Sequence, residues 1–131
     1  MRVGTEIDPG WAWDDKIPMS QGVRVGNLLY ISGQIALDPS GKVVGENDMA
    51  AQARKVYENI GQILGQAGGT FANVIKVTAF LTDMSRYAQY NEVRAKVFGG
   101  LRPASTTVAV TALAFPGLLV EVEAVAYLAG A

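Results

Sequence analysis

The chain has 131 residues, 50% of them hydrophobic and 18% charged, which is enough length and apolar content for one domain spanning residues 1–131. A net charge of −1, with no run of Lys or Arg, disfavours nucleic acid as a partner, because phosphate binding needs clustered positive charge. The chain has no His and no Cys, which excludes Ser-His-Asp and Cys-His catalysis, disulfides and the common zinc sites.

The N-terminal third predicts β structure. Two apolar runs, residues 23–25 and 28–31, are joined by Gly26 and Asn27, a pair suited to a hairpin turn. The sequence Asp38-Pro39-Ser40-Gly41 predicts a type I turn, followed by a short returning strand at residues 42–44. No segment has the apolar length of a signal peptide or a membrane span, so we expect a cytoplasmic protein with no membrane partner.

Two helices and three strands are predicted in the rest of the chain. Apolar residues recur at helical spacing from a cap at Asn47 or Asp48 to residue 67, and Gly68-Gly69 ends that helix. Residues 74–81 predict a strand, and Thr82 or Asp83 can cap a second helix that ends at Gly99-Gly100. Its apolar side carries Tyr87, Tyr90, Val93 and Val97. Strands are expected at roughly 106–113 and 119–128, separated by a turn at residues 115–117.

This order of elements predicts an α+β fold in which a mixed sheet has both helices on one face. The last strand is apolar on one alternation and half apolar on the other, which carries Val125 and Tyr127. Because two helices cover only one face, we expect copies of the chain to cover the other, with small-molecule clefts between subunits. The alternative is a monomer with a modest exposed apolar face.

Several residues are candidates for chemistry, each with a structural alternative. Glu121 is a carboxylate in an apolar strand, either a catalytic group or one solvated beside Glu123. Gly33 lets a backbone approach a ligand or forms a β-bulge, and Asn91 orients a water or lies on the helix surface. Arg102 clamps a carboxylate or is solvated.

The three consecutive hydroxyls Ser105, Thr106 and Thr107 form a second open question. They provide either a hydrogen-bonding rim to a site or simply the β-tolerant start of a strand.

Five stretches taken together resemble the RidA family (reactive intermediate deaminase, also called YjgF-like) over almost the whole chain. They are "VGNLLYISGQIALDPSGKV", "AAQARKVYENIGQIL", "NVIKVTAFLTDMSRYAQYNEV", "RPASTTVAV" and "VEVEAVAYL". The resemblance implies a chorismate-mutase-like domain, assembled as a homotrimer with three ligand clefts at subunit interfaces. It also implies hydrolysis of enamines or imines such as 2-aminoacrylate, without cofactor or metal.

The resemblance also assigns positions. It places Ser105 where the family's "P-A-R-S" motif carries a carboxylate-binding arginine, and Met19 where a cleft tyrosine stands. It keeps the glutamate that positions water, as Glu121, and cleft positions at Gly33 and Asn91.

From these departures we expect a divergent member acting on a small labile metabolite other than 2-aminoacrylate. Its ligand would be less anionic, or larger, and Ser105 and Thr107 would give it neutral hydrogen bonds in a cleft that Met19 makes more apolar. Arg102 is a possible source of displaced positive charge. The alternative is a non-catalytic trimer that binds a small molecule or a protein partner, so catalysis itself stays open. A ribonuclease is disfavoured by the pI of about 5.3.

Overall fold

Six strands and two helices form the part of the chain that the structure, a computed structural model, describes: residues 3–129. The strands are β1 (Thr5–Ile7), β2 (Gly22–Val25), β3 (Leu28–Gln34), β4 (Val74–Leu81), β5 (Ala104–Ala109) and β6 (Val120–Tyr127). The helices are α1 (Met49–Gln66) and α2 (Tyr87–Phe98), and short 3-10 turns cover Asp14–Lys16, Phe71–Asn73 and Met84–Arg86. Neither α1 nor α2 combines the length and the hydropathy that a bilayer crossing requires.

The strands form one mixed sheet in the order β1-β2-β3-β6-β4-β5. β4 and β5 are parallel and are connected through α2, whereas all other neighbours are antiparallel. The last strand in the chain is therefore inserted at the centre of the sheet, and β5 is left as an edge strand.

The predicted hairpin is confirmed. β2 and β3 pair with Val25 opposite Leu28, so Gly26 and Asn27 form a two-residue turn, and Gly26 has a φ of 60°. β1, which pairs antiparallel with β2, is not among the strands predicted from the sequence. With three residues and little burial, Thr5–Ile7 carries no period long enough to detect.

Helix α1 begins and ends as predicted. The Asp48 side chain accepts a hydrogen bond from the Ala51 N–H at 3.0 Å, which satisfies one of the free donors of the first turn. After the last helical residues the chain turns at Gly68, whose φ of 83° favours glycine. Asp83, which was predicted as a cap of the second helix, instead caps the 3-10 turn Met84–Arg86 that leads into α2.

Both helices pack on one face of the sheet, as predicted. Val120, Val122, Ala124 and Ala126 alternate along β6 and are at most 3% exposed within the same core as the buried residues of α1 and α2. The opposite face, which we call the open face, carries Tyr30, Phe80, Val108, Val125 and Tyr127. Tyr30 is 51% exposed and Tyr127 47% exposed. The uncovered apolar face expected from the sequence is therefore present in the single chain.

Two predicted strands were too long. Residues 42–44 form a single bridge, Val43 to Leu37, because the Asp38 carboxylate instead accepts hydrogen bonds from the Ser40 and Lys42 N–H groups and closes a turn. β5 ends at Ala109 and not near residue 113, because β4, the strand with which it pairs in the described sheet, ends at Leu81.

Candidate functional site

The first candidate group lies where β3 meets β6. The register of this pair shifts between Ile31 and Gln34, so the β-bulge considered for Gly33 is present. A Cβ atom on Gly33 would overlap the Glu121 carboxylate, since its nearest neighbours would all be Glu121 atoms, with Cδ at 2.8 Å. The bulge and the missing side chain together make room for this carboxylate against the β3 backbone.

Glu121 is partly buried and points to the open face, whereas its neighbours on β6, Val120 and Val122, point into the core. Burial raises the pKa of the Glu121 carboxyl, and the negative charge of Glu123 raises that pKa further. Among residues 3–129 no donor forms a hydrogen bond with this carboxylate. Glu121 is thus a strengthened base with free acceptor oxygens.

Met19 is 42% exposed, and its place relative to β3 follows from the next residue in the chain. The carbonyl of the next residue, Ser20, accepts a hydrogen bond from the Ser32 hydroxyl at 2.6 Å, immediately before Gly33 in the chain. The segment that carries Met19 therefore runs along the part of β3 that supports Glu121.

A second group lies between α2 and β5, at the edge of the sheet. Ser105 and Thr107 pair with Val77 and Ala79 of β4, which are buried under the helices, so the two hydroxyls are on the helix side. Ser105 lines two adjoining cavities of about 320 Å³ and 630 Å³, and Thr107 lines the larger one. The hydroxyls therefore border open space.

Arg94 of α2, a residue that the sequence analysis did not single out, connects these cavities and lines both. Its Nη1 donates to Ser105 Oγ at 2.7 Å, and its Nη2 donates to Tyr87 OH at 2.7 Å. Asn91 Oδ1 accepts from both Nε and Nη2 of Arg94. Residues 87, 91 and 94 are spaced so that they lie on one face of α2. This spacing is the feature of the sequence from which the group around Arg94 could have been predicted.

The other two predicted residues of this region are also placed. Asn91 is exposed on α2, and its Oδ1 holds the Arg94 guanidinium, a contact that neither of the two sequence-based alternatives for Asn91 included. Arg102 lines the smaller cavity from the loop before β5, with a φ of 50°, and in the described part of the chain no hydrogen bond joins it to the Ser105 hydroxyl.

The two groups lie on opposite faces of the sheet. Glu121 pairs with Phe80, which pairs with Val108, so all three are on the open face. Ser105 is three positions from Val108 along β5 and therefore points to the other face, towards Arg94. One chain does not bring the carboxylate and the guanidinium into a single cleft.

Known proteins share this sequence and fold. A family model described as endoribonuclease L-PSP matches residues 13–128. A RutC family protein of Pyrococcus horikoshii is 44% identical over 110 residues, which cover 84% of this chain and 86% of the relative. The 2-iminobutanoate/2-iminopropanoate deaminase of Mus musculus is 40% identical over 83% of this chain and 80% of the relative.

Among solved structures, a member of the YjgF/YER057c/UK114 family from Mycobacterium tuberculosis is 39% identical, with a TM-score of 0.82. The match covers 95% of this chain and 98% of that one. RidA from an Antarctic Psychrobacter is 36% identical, with a TM-score of 0.81 over 98% of this chain and 99% of the other.

Proposed function

The chain belongs to the endoribonuclease L-PSP family, to which the YjgF and RidA proteins belong, and we propose that it hydrolyses small imines in a cleft formed between two copies. Relatives named as imine deaminases support an imine-deaminase-type function in general. The observation that carries the proposal is Glu121, a partly buried carboxylate with a raised pKa, to which no donor within residues 3–129 forms a hydrogen bond.

The proposed reaction needs one base and one water. Glu121 takes a proton from water while the water oxygen forms a bond to the imine carbon, and it passes that proton to the imine nitrogen as the C=N double bond becomes single. Glu121 then takes the hydroxyl proton of this tetrahedral intermediate and gives it to the nitrogen as the C–N bond breaks, so ammonia leaves and a carbonyl remains. The overall change is an imine plus water giving a 2-oxo acid plus ammonia, which requires no oxidant and no cofactor.

The site requires a second copy of the chain. Glu121 is on the open face, and the cavity at Ser105 is on the other side of the sheet at its β5 edge. If the edge of one copy packs against the open face of the next, the two groups enter one cleft. A closed ring of three such copies is the homotrimer that we propose, and it would cover Tyr30 and Tyr127.

We place the carboxylate of Glu121, the Gly33 backbone and Met19 on one side of this cleft. Ser105, Thr107, Asn91 and Arg102 would come from the other copy. Ser105 stands at the position of the family's arginine, so we propose that this member is divergent in how it holds its ligand.

The test follows the lifetime of an imine generated by an amino-acid oxidase from 2-aminobutanoate and trapped with semicarbazide. The wild-type protein should lower the yield of trapped imine, and Glu121→Ala should reduce kcat by about 10²-fold or more, the usual contribution of a general base. Because Glu121 must be ionised to accept a proton, the rate should fall as pH decreases through its raised pKa, and Glu121→Gln should lose this limb.

Glu123→Ala is the matched control, because it removes a carboxylate two residues along the same face of β6 and should leave the rate within a few-fold. Equal rates for wild type and Glu121→Ala would contradict the role of Glu121. Ligand binding without any hydrolysis across a panel of imines would favour the non-catalytic trimer. Cleavage of RNA at a Glu121-independent rate would instead favour the nuclease named in the family description.

A further inference from the structure

The cavities between α2 and β5 are positively charged. Arg94 and Arg102 are among their lining residues, and no Asp or Glu is. Within residues 3–129, Arg94 forms no ion pair with a carboxylate. A partly buried guanidinium without a counter-charge favours an anion as the occupant of this space.

The hydrogen bonds of Arg94 leave donors for that anion. Its partners are neutral oxygens, those of Ser105, Tyr87 and Asn91. A hydroxyl that accepts a hydrogen bond keeps its own hydrogen to donate, and neither the Ser105 nor the Tyr87 hydroxyl donates to another described residue. The Ser105 and Tyr87 hydroxyls are therefore two donors that remain beside the Arg94 guanidinium, one next to Nη1 and the other next to Nη2.

The guanidinium is held in place before any ligand arrives. Its Cζ lies 5.7 Å from the centroid of the Tyr87 ring and 5.3 Å from that of Tyr90. The Tyr90 hydroxyl is in turn 2.6 Å from the hydroxyl of Tyr57 in the core. Because Tyr90 and Tyr57 are buried and hold the Arg94 guanidinium in position, this guanidinium loses little conformational entropy when it binds a ligand, which favours affinity.

We propose that Arg94 binds the carboxylate of a small 2-imino acid substrate, with Ser105 and Tyr87 donating to the same carboxylate. This rests on the proposed imine hydrolysis. The family resemblance places an arginine at the strand position of Ser105. Because the serine side chain is short, it leaves space there for the guanidinium of Arg94 from α2. The ligand is anionic, contrary to the expectation based on Ser105 alone.

The test compares Arg94→Met with Lys96→Met, which removes a cation from the same helix but one paired with Glu92 on the outer surface. Calorimetry with 2-oxobutanoate, the carboxylate product, should show binding to wild type and to Lys96→Met. Arg94→Met should weaken it about 10- to 100-fold, the usual size of a charge-assisted contact, and should raise KM similarly with a smaller change in kcat. Inorganic phosphate should bind more weakly than 2-oxobutanoate.

Two further variants keep the result interpretable if Arg94→Met unfolds, since Arg94 stacks on two rings. Arg94→Lys keeps the charge without the fork and should lose part of the affinity. The double variant Arg94→Met/Ser105→Arg returns a guanidinium to the same cavity from β5 and should bind 2-oxobutanoate at least as tightly as Arg94→Lys does.

The outcomes separate this inference from the proposed function. Imine hydrolysis by wild type with KM unchanged in Arg94→Met and Arg94→Lys would overturn the role of Arg94 and leave the reaction standing. Arg94-dependent binding of 2-oxobutanoate without hydrolysis would support the carboxylate site and overturn the reaction. Tighter binding of phosphate than of 2-oxobutanoate would overturn the assignment to a carboxylate.

Discussion

At the scale of single residues, the candidate site depends on two small side chains as much as on its ionisable groups. The absent side chain of Gly33 gives the Glu121 carboxylate its place, and the short side chain of Ser105 gives Arg94 its place. In both pairs a small residue on a strand accommodates an ionisable group from another element. The two small residues can be singled out in the sequence, but their partners lie 88 and 11 positions away. The first contact depends on strand order and the second on a helix face.

Gly33→Ala tests the first of these pairs. The new Cβ would displace the end of a flexible side chain, so we expect hydrolysis to fall towards the level of Glu121→Ala while the free energy of unfolding changes by less than about 1 kcal/mol. In a Glu121→Ala background the same change should cost no further activity. The matched control is Gly65→Ala in α1, where the added Cβ meets nothing within 4 Å and activity should be unchanged. A Gly33→Ala variant with full activity would contradict the contact.

At the scale of elements, helices and strands were predicted correctly where an apolar periodicity in the sequence ends at a residue that marks an element boundary. The span of β4 was predicted to the residue, and the first helix was predicted from its apolar period, a cap at Asp48 and the glycines that end it. The errors are at elements without such signals. β1 has three residues, and β5 ends where its partner ends, which is a property of pairing and not of its own sequence.

Asp48→Ala tests the contribution of the cap to α1. Loss of the hydrogen bond from the Ala51 N–H should lower the free energy of unfolding by about 1 kcal/mol, measured by urea denaturation. Glu46→Ala is the control, because it removes a nearby exposed carboxylate outside the helix and should change stability by less than about 0.5 kcal/mol. Equal effects of the two substitutions would indicate that general charge, and not the cap, stabilises the helix.

At the scale of the whole molecule, the sequence predicted a sheet with one covered face, and the structure confirms it. The placement of the site could not be obtained in this way. Strand alternation does not by itself tell whether Glu121 and Ser105 lie on the same face of the sheet. That also requires the order and register of β6, β4 and β5. That order separates the carboxylate from the guanidinium by the thickness of the sheet, and so makes assembly a condition of the proposed activity.

This separation gives a test of assembly and site together. In a ring of three, each cleft would take Glu121 from one copy and Arg94 from the next, so a mixed trimer of Glu121→Ala and Arg94→Met chains has one cleft with both groups intact. Random mixing at equal amounts leaves about a quarter of all clefts intact, so co-expressed variants should regain about a quarter of the wild-type kcat/KM, measured at substrate concentrations well below KM, where clefts without Arg94 contribute little. Light scattering should give three times the 13.9 kDa mass of the chain. Activity that stays at the level of the separate variants, in trimers shown by native mass spectrometry to be mixed, would mean that the two residues do not share a cleft.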